Sequence, residues 1–201
     1  DLSRAAQRLS TRFNPSVRVL NYSGSGIETT FTQGEDACLA SLVPSLPAPA
    51  SDAPAELMVV GTLADVVEDQ FQRLFDAMGV GTVRFFPPRQ ANAMPAIGPN
   101  THMLLAQPFL ADTARALEAR GVSRLSAPFP LGVEGTTAWL WAAAQALGVP
   151  AALFEQVTAA PRERAQAALG RLRPQLAAKS IFFFPDSQLE LPLARFLARE
   201  M

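Results

Sequence analysis

LMVVGTLADVVEDQFQRLFDAMGVGTVRFF, residues 57–86, reads as a strand, a helix and a second strand in succession. Leu57 to Gly61 is a short apolar run without alternation, the pattern of a strand buried on both faces. Ala64 to Met78 repeats at helical period, with Val66, Val67, Phe71, Leu74 and Phe75 as its expected core stripe. Gly79 and Gly81 supply the turn into a second strand, Thr82 to Phe86. A strand, a covering helix and a second strand of the same kind form a βαβ unit, whose strands lie parallel.

The alternation extends in both directions. Downstream come a strand at Met103 to Ala106, a helix at Ala111 to Ala119 with its turn at Gly121, a strand at Arg124 to Phe129 and a helix at Thr136 to Leu147. Upstream, Leu2, Ala5, Ala6, Leu9 and Phe13 share one helical face that ends at Pro15, and Val17 to Tyr22 reads as the first strand. Ser23 to Thr32 is a polar, glycine-containing loop that leads into a helix carrying Ala37, Leu39, Ala40 and Leu42. Pro44 to Ala55 reads as a surface linker, and Pro87 to Asn100 as a long proline-rich loop. From Phe154 to Ala178 the pattern is an Ala- and Arg-rich helix, interrupted near Pro161 and Pro174. Ser180 to Phe184 reads as a further buried strand, and Pro185-Asp186-Ser187 opens a last helix. The expected architecture is therefore α/β: a Rossmann-like parallel sheet flanked by helices over residues 1–150, a helical connection over 151–178, and the first strand and helix of a following α/β domain over 179–201. Ligands of such sheets bind at the carboxyl edge of the strands.

Composition narrows the function. The chain has 201 residues and a formal net charge of −1, so no basic field exists to attract nucleic acid. One cysteine, Cys38, excludes a disulfide scaffold and makes a reducing, cytoplasmic setting the expectation. No apolar run reaches the roughly 20 residues of a membrane span. Neither Asp1-Leu2-Ser3-Arg4 nor the periodic tail Leu193 to Met201 looks like a natural terminus, so the chain reads as part of a longer polypeptide.

Few residues invite chemistry. Ser23-Gly24-Ser25-Gly26-Ile27-Glu28-Thr29-Thr30 follows a strand and precedes a helix, where free amides favour anions. It is no Walker loop and lacks the third glycine of a dinucleotide fingerprint. On spacing alone a plain connection and a ligand contact both stand, and Glu28 reads as a solvated carboxylate. Cys38 is expected as a small buried hydrophobe. His102 is the single histidine and has no partner in sequence. Glu35-Asp36 and Glu68-Asp69 are expected at helix starts or on polar faces, explained by the helix dipole and solvation. Trp139 and Trp141 cannot share a helix face, so one is core and the other faces an interface. Met94 and Ile97 in the long loop suggest docking on another subunit or a flat ligand.

Four strings resemble one family: NYSGSGIETTFTQGEDACLASL (21–42), PPRQANAMPAIGPNT (87–101), APFPLGVEGTTAW (127–139) and KSIFFFPDSQLELPLARF (179–196). They are similar to the N subunits of light-independent protochlorophyllide reductases and, more distantly, to nitrogenase component proteins and their cofactor-assembly scaffolds. The resemblance implies a heterotetramer of two N and two B subunits, served by an ATP-hydrolysing L-protein reductase. It implies a 4Fe-4S cluster at the N–B interface, held by three N-subunit cysteines and one B-subunit aspartate, and reduction of the ring D double bond of protochlorophyllide. Cys38 matches none of those cysteines, which are expected upstream of Asp1, so no metal ligand and no catalytic residue is carried onto this chain. The loop is expected to face the pigment cavity, with Ser23, Gly24 and Gly26 at the close approach, Ile27 as wall, and Ser25 and Thr29 as donors. The alternative implied by the same resemblance is a non-catalytic scaffold for cofactor assembly. A nucleotide-binding Rossmann domain is disfavoured by the incomplete fingerprint.

Overall fold

The computed structural model describes residues 2–13, 30–50, 52–90, 92–184 and 188–201. The expected first strand at 17–22 and loop residues 23–29 lie outside them. The described elements are α1 (Leu2–Phe13), α2 (Phe31–Leu42), β1 (Glu56–Val60), α3 (Asp65–Ala77), β2 (Val83–Phe86), β3 (Thr101–Leu105), α4 (Ala111–Ala119), β4 (Ser123–Arg124), α5 (Gly132–Ala146), α6 (Ala151–Leu176) and α7 (Glu190–Glu200).

The strands form a parallel sheet in the order β2-β1-β3-β4. Leu57 to Val60 of β1 are all buried, which is why that run is apolar without alternation. Side chains of successive residues point to opposite faces. Met58, Val60, Phe86 and Met103 pack against Leu39, Leu110 and Leu117, contributed by α2 and by α4 with its cap. Leu57, Val59 and Leu104 pack against Phe71, Phe75, Trp139 and Phe154 of α3, α5 and α6. After β1 the chain crosses by α3 to β2 on one side, then returns past β1 to β3 on the other. The order therefore reverses between β1 and β3, the crevice where open α/β sheets place ligands.

Several local expectations are corrected. The buried face of α3 is Glu68, Phe71 and Phe75, continued by Met78 just beyond the helix, while Val66 and Val67 are exposed. Packing of Phe71 and Phe75 on Trp139 sets that face. Burial of Glu68 is compensated by Arg89, whose Nε donates to Glu68 at 2.5 Å and whose Nη2 donates to Asp69 at 2.7 Å. Helix dipole and solvation thus do not explain Glu68. This clamp fixes the start of the 87–100 loop, and Ile97, only 1% exposed, fills the chain's own core with Met94 packed beside it. The loop's apolar residues serve internal packing, not docking.

The 44–55 linker likewise contributes Leu46 to the core. Helix α6 runs uninterrupted through Pro161 and Pro174, each of which removes one backbone donor without ending it. Strand β4 is only two residues long. Residues 180–184 pair with no strand among the described residues, and Phe182 and Phe184 are exposed. Neither sheet edge, β2 or β4, takes them up.

Candidate functional site at the carboxyl edge

Helix α2 begins immediately after the loop. Thr30 caps it in a capping box, accepting from Gln33 N at 3.4 Å while its own N–H donates to Gln33 Oε1 at 3.1 Å. Phe31 follows, 88% exposed among the described residues.

Two carboxylates from outside tie the edge together. Helix α4 has no side-chain cap of its own at Leu110. Asp36 of α2 supplies one, accepting from Asp112 N at 2.9 Å, Thr113 N at 2.8 Å and Thr113 Oγ1 at 2.6 Å. Helix α5 likewise has no local cap at Leu131. Glu200 of α7 caps it, accepting from Val133 N at 2.7 Å and Glu134 N at 3.0 Å. Both carboxylates are buried, so Asp36 is a tertiary cap and not a solvated surface group. The positive ends of the two helices that follow β3 and β4 are therefore already neutralised by the chain itself.

At the crevice between β1 and β3, Glu35 accepts from Thr62 N at 3.0 Å and Gln107 Nε2 donates to Thr62 O at 3.1 Å. Gly61, with φ +128°, permits this closure, because a Cβ there would lie 2.8 Å from Gln107 Cγ. Above these bonds opens a cleft of about 840 Å³, walled by Phe31, Leu42, Pro87, Phe109 and Leu189, with Glu35 and Cys38 on its rim. Apolar walls with few polar groups suit a flat apolar ligand.

Cys38 is exposed on this cleft, not buried, because its helix face looks outward beside Phe31. His102 sits in β3 opposite Leu57 and Ser123, on the amino-terminal half of the sheet, and its buried Nδ1 has no hydrogen-bond partner among the described residues. Among the described residues no three acidic, histidine or cysteine side chains are grouped to hold a metal. With Cys38 as the only cysteine, the residues present do not fit an iron–sulfur cluster. Trp139 is the core tryptophan, its Nε1 donating to Leu105 O at 2.7 Å, and Trp141 lies half-buried against Phe154 of α6. Ser23, Gly24, Ser25, Gly26, Ile27 and Thr29 lie outside the described residues. Local sequence reading missed Phe31, Leu189, Asp36 and Glu200, since caps supplied from distant helices leave no local motif.

Helix α7 is also held by charge. Arg195 donates to both oxygens of Glu134, at 3.0 and 2.5 Å, and Arg199 donates at 3.1 Å. The bond from Arg195 lowers the Glu134 carboxyl below its ordinary value, and the charges of Arg195 and Arg199 add to this. A lowered folded value means the contribution is present above the ordinary carboxylate range and is lost as pH falls through the lowered value. Amide-exchange protection of α7 is thus expected to fall below about pH 4, and more gently at neutral pH in high salt. Protection independent of both would show that these charges do not hold the helix.

The family model described as nitrogenase component 1 type oxidoreductase matches residues 1–201. Over all 201 residues the chain is 68% identical to the light-independent protochlorophyllide reductase subunit N of Rhodopseudomonas palustris (strain HaA2). It is 70% identical to that of strain ATCC BAA-98 / CGA009 and 67% identical to that of Bradyrhizobium sp. (strain ORS 278). The match takes in 100% of this chain and 47% of each of those proteins, so the chain spans about half the length of the curated relatives it matches. A solved structure, nitrogenase Cp1 at pH 6.5, superposes with a TM-score of 0.63 at 18% identity, over 87% of this chain and 42% of that one. That likeness concerns the fold. The chain belongs to the nitrogenase component 1 type oxidoreductase family.

Proposed function

We propose that this chain is the part of a light-independent protochlorophyllide reductase N subunit that walls the pigment cavity. The observation that carries the reading is the carboxyl edge itself. In nucleotide-binding sheets the helix N-termini there receive phosphates; here Asp36 and Glu200 fill that position at α4 and α5, beside an apolar cleft. Its volume of about 840 Å³ lies within the roughly 300–1,000 Å³ of small-molecule sites. The names of the relatives supply the ligand: protochlorophyllide, a flat apolar tetrapyrrole bearing a carboxylate.

In this reading Phe31, Pro87, Phe109 and Leu189 exclude water from one face of the macrocycle. Loop residues Ser23, Gly24, Ser25, Gly26, Ile27 and Thr29 feed directly into capped α2, with the glycines allowing the backbone close to the pigment. The chain orients the pigment for reduction of the ring D double bond. A 4Fe-4S cluster at the interface with a B subunit supplies electrons, with its ligands outside these residues, and an ATP-hydrolysing L protein recharges it. Among the described residues no helix is long and apolar enough to cross a membrane, and we place the reaction in the cytoplasm. We also retain the division into 1–150, 151–178 and 179–201, in which Phe182 and Phe184 join a sheet supplied by the remaining length of the subunit.

The test is a chimera in which these residues replace the matching stretch of the Rhodopseudomonas subunit, purified with its B partner. Protochlorophyllide, L protein, ATP and dithionite in darkness are expected to give the red band of chlorophyllide. Gly26→Val in the chimera is expected to abolish that band while N–B assembly survives. Turnover unchanged by Gly26→Val would remove the loop from the cavity. An assembled chimera that reduces nothing would favour the cofactor-assembly scaffold.

A further inference from the structure

We infer that α7 is a strap across the carboxyl edge of the sheet, and that Glu200 is a positioning residue that holds Leu189 in the cleft wall. This rests on the pigment-cavity reading above. The two ends of α7 meet different parts of that edge. Leu189, its N-cap, lines the cleft opposite Phe31. Glu200, in its last turn, caps α5 beyond β4. Eleven residues of helix span about 16 Å, enough to reach from the β1–β3 crevice to the start of α5.

Between these ends α7 is loosely seated. Leu191 is 80% exposed, and a second cavity of about 1,010 Å³ separates part of the helix from Pro128 and Phe129. Several anchors lie toward its carboxyl end. Arg195 and Arg199 grip Glu134, Arg173 Nε donates to the Glu200 carbonyl at 2.7 Å, and the Glu200 carboxylate takes two amides of α5. Gly132, at φ +71°, makes room for this, since a Cβ would overlap Glu200 Oε1 and the Phe196 ring. A rigid helix moves as a unit, so a change at its carboxyl-end anchors shifts its amino end as well. The clasp at Glu200 therefore contributes to where the Leu189 side chain stands over the cleft, although Glu200 does not line that cleft.

The experiment uses the chimeric reductase complex with protochlorophyllide as the varied substrate, and compares Leu189→Ala, Glu200→Gln and the double variant. Each single change is expected to raise KM for the pigment about tenfold, the scale of a lost apolar contact, with kcat nearly unchanged. The double variant is expected to match Leu189→Ala alone, because Glu200 acts through Leu189. Glu200→Asp, which keeps the carboxylate, is expected to recover part of the loss. A double variant whose KM rises by the product of the two effects, or a Glu200→Gln variant with unchanged KM, would overturn the positioning role while leaving the cavity reading intact. An unchanged KM in Leu189→Ala would remove the cleft from the pigment site and the inference with it. If Glu200→Gln does not assemble, Arg195→Met loosens the same clasp from the exposed side, and the same non-additivity with Leu189→Ala is required.

Discussion

Trp139→Ala is expected to lower the unfolding free energy of this chain by about 3–5 kcal/mol, the range for truncating a fully buried large side chain. The indole is fully buried and sits where three elements meet. Its ring packs tilted against Phe71 and Phe75, with centroids 4.6 and 6.1 Å away, pinning α3 to α5. Its Nε1 donates to the carbonyl of Leu105, the last residue of β3, at 2.7 Å. Truncation opens a cavity between α3, α5 and the sheet and also leaves the part-buried Leu105 carbonyl without its indole donor. Trp139→Phe keeps most of the ring contact and loses only the hydrogen bond, so about 1–3 kcal/mol is expected. Trp141→Phe, half-buried against Phe154, is expected to cost less than about 1.5 kcal/mol. Urea midpoints measured on the three variants check the order. Equal midpoints for the alanine and phenylalanine variants of Trp139 would show that the aromatic core does not carry the stability assigned to it.

The same tryptophan shows where sequence reading works. β1 is legible because a strand buried on both faces must be apolar at every position, and Leu57 to Val60 are. Helix α4 is legible at both ends because its apolar period stops at Gly121, and the observed range Ala111–Ala119 is the expected one. Helix α5 is legible only in part. The expected start at Thr136 skips the first turn, since Gly132 and Gly135 read locally as loop. The cap that starts α5 is a carboxylate 67 residues away from the Val133 amide it binds. Helix α3 is legible in its place and in Phe71, Leu74 and Phe75, which pack in the core as expected, but not in its first turn, where Glu68 is buried instead of Val66 and Val67. Periodicity alone does not tell Val67 from Glu68 when the buried acid is matched by an arginine 21 residues downstream. The site divides in the same way. That ligands belong at the carboxyl edge follows from the βα alternation. That Phe31 stands open there, and that Leu189 returns to meet it from the far end of the chain, follows only from tertiary packing. The four family-like strings cross that gap because they preserve as text what the packing makes necessary.

Asp36→Ala is expected to cost about 3 kcal/mol or more, and to do so by detaching α2 from α4. Asp36 is 7% exposed and its carboxylate accepts from Asp112 N, Thr113 N and the Thr113 hydroxyl, whose single proton lies between the carboxylate at 2.6 Å and the Asp36 carbonyl at 2.9 Å. Hydrogen bonds to a charged acceptor contribute roughly 1.5–3 kcal/mol each, and they act here as one unit, so the total is less than their sum. Losing the carboxylate leaves the first amides of α4 buried without a cap and uncovers the positive end of that helix. Asp36→Asn is expected to fall between, because the amide keeps one acceptor and turns a donor toward the Thr113 N–H. Glu35→Gln is the control on the same helix. It makes one bond, to Thr62 N, near the surface, and should shift stability by no more than about 1 kcal/mol. Thermal unfolding gives the magnitudes, and amide exchange locates them, with protection lost first in α2 and the start of α4. If Asp36→Ala and Glu35→Gln cost the same, α2 is held by its apolar face alone. If Asp36 dominates, the helix that presents Phe31 and Cys38 to the cleft is held by one buried carboxylate. Cleft geometry and fold stability would then be lost together.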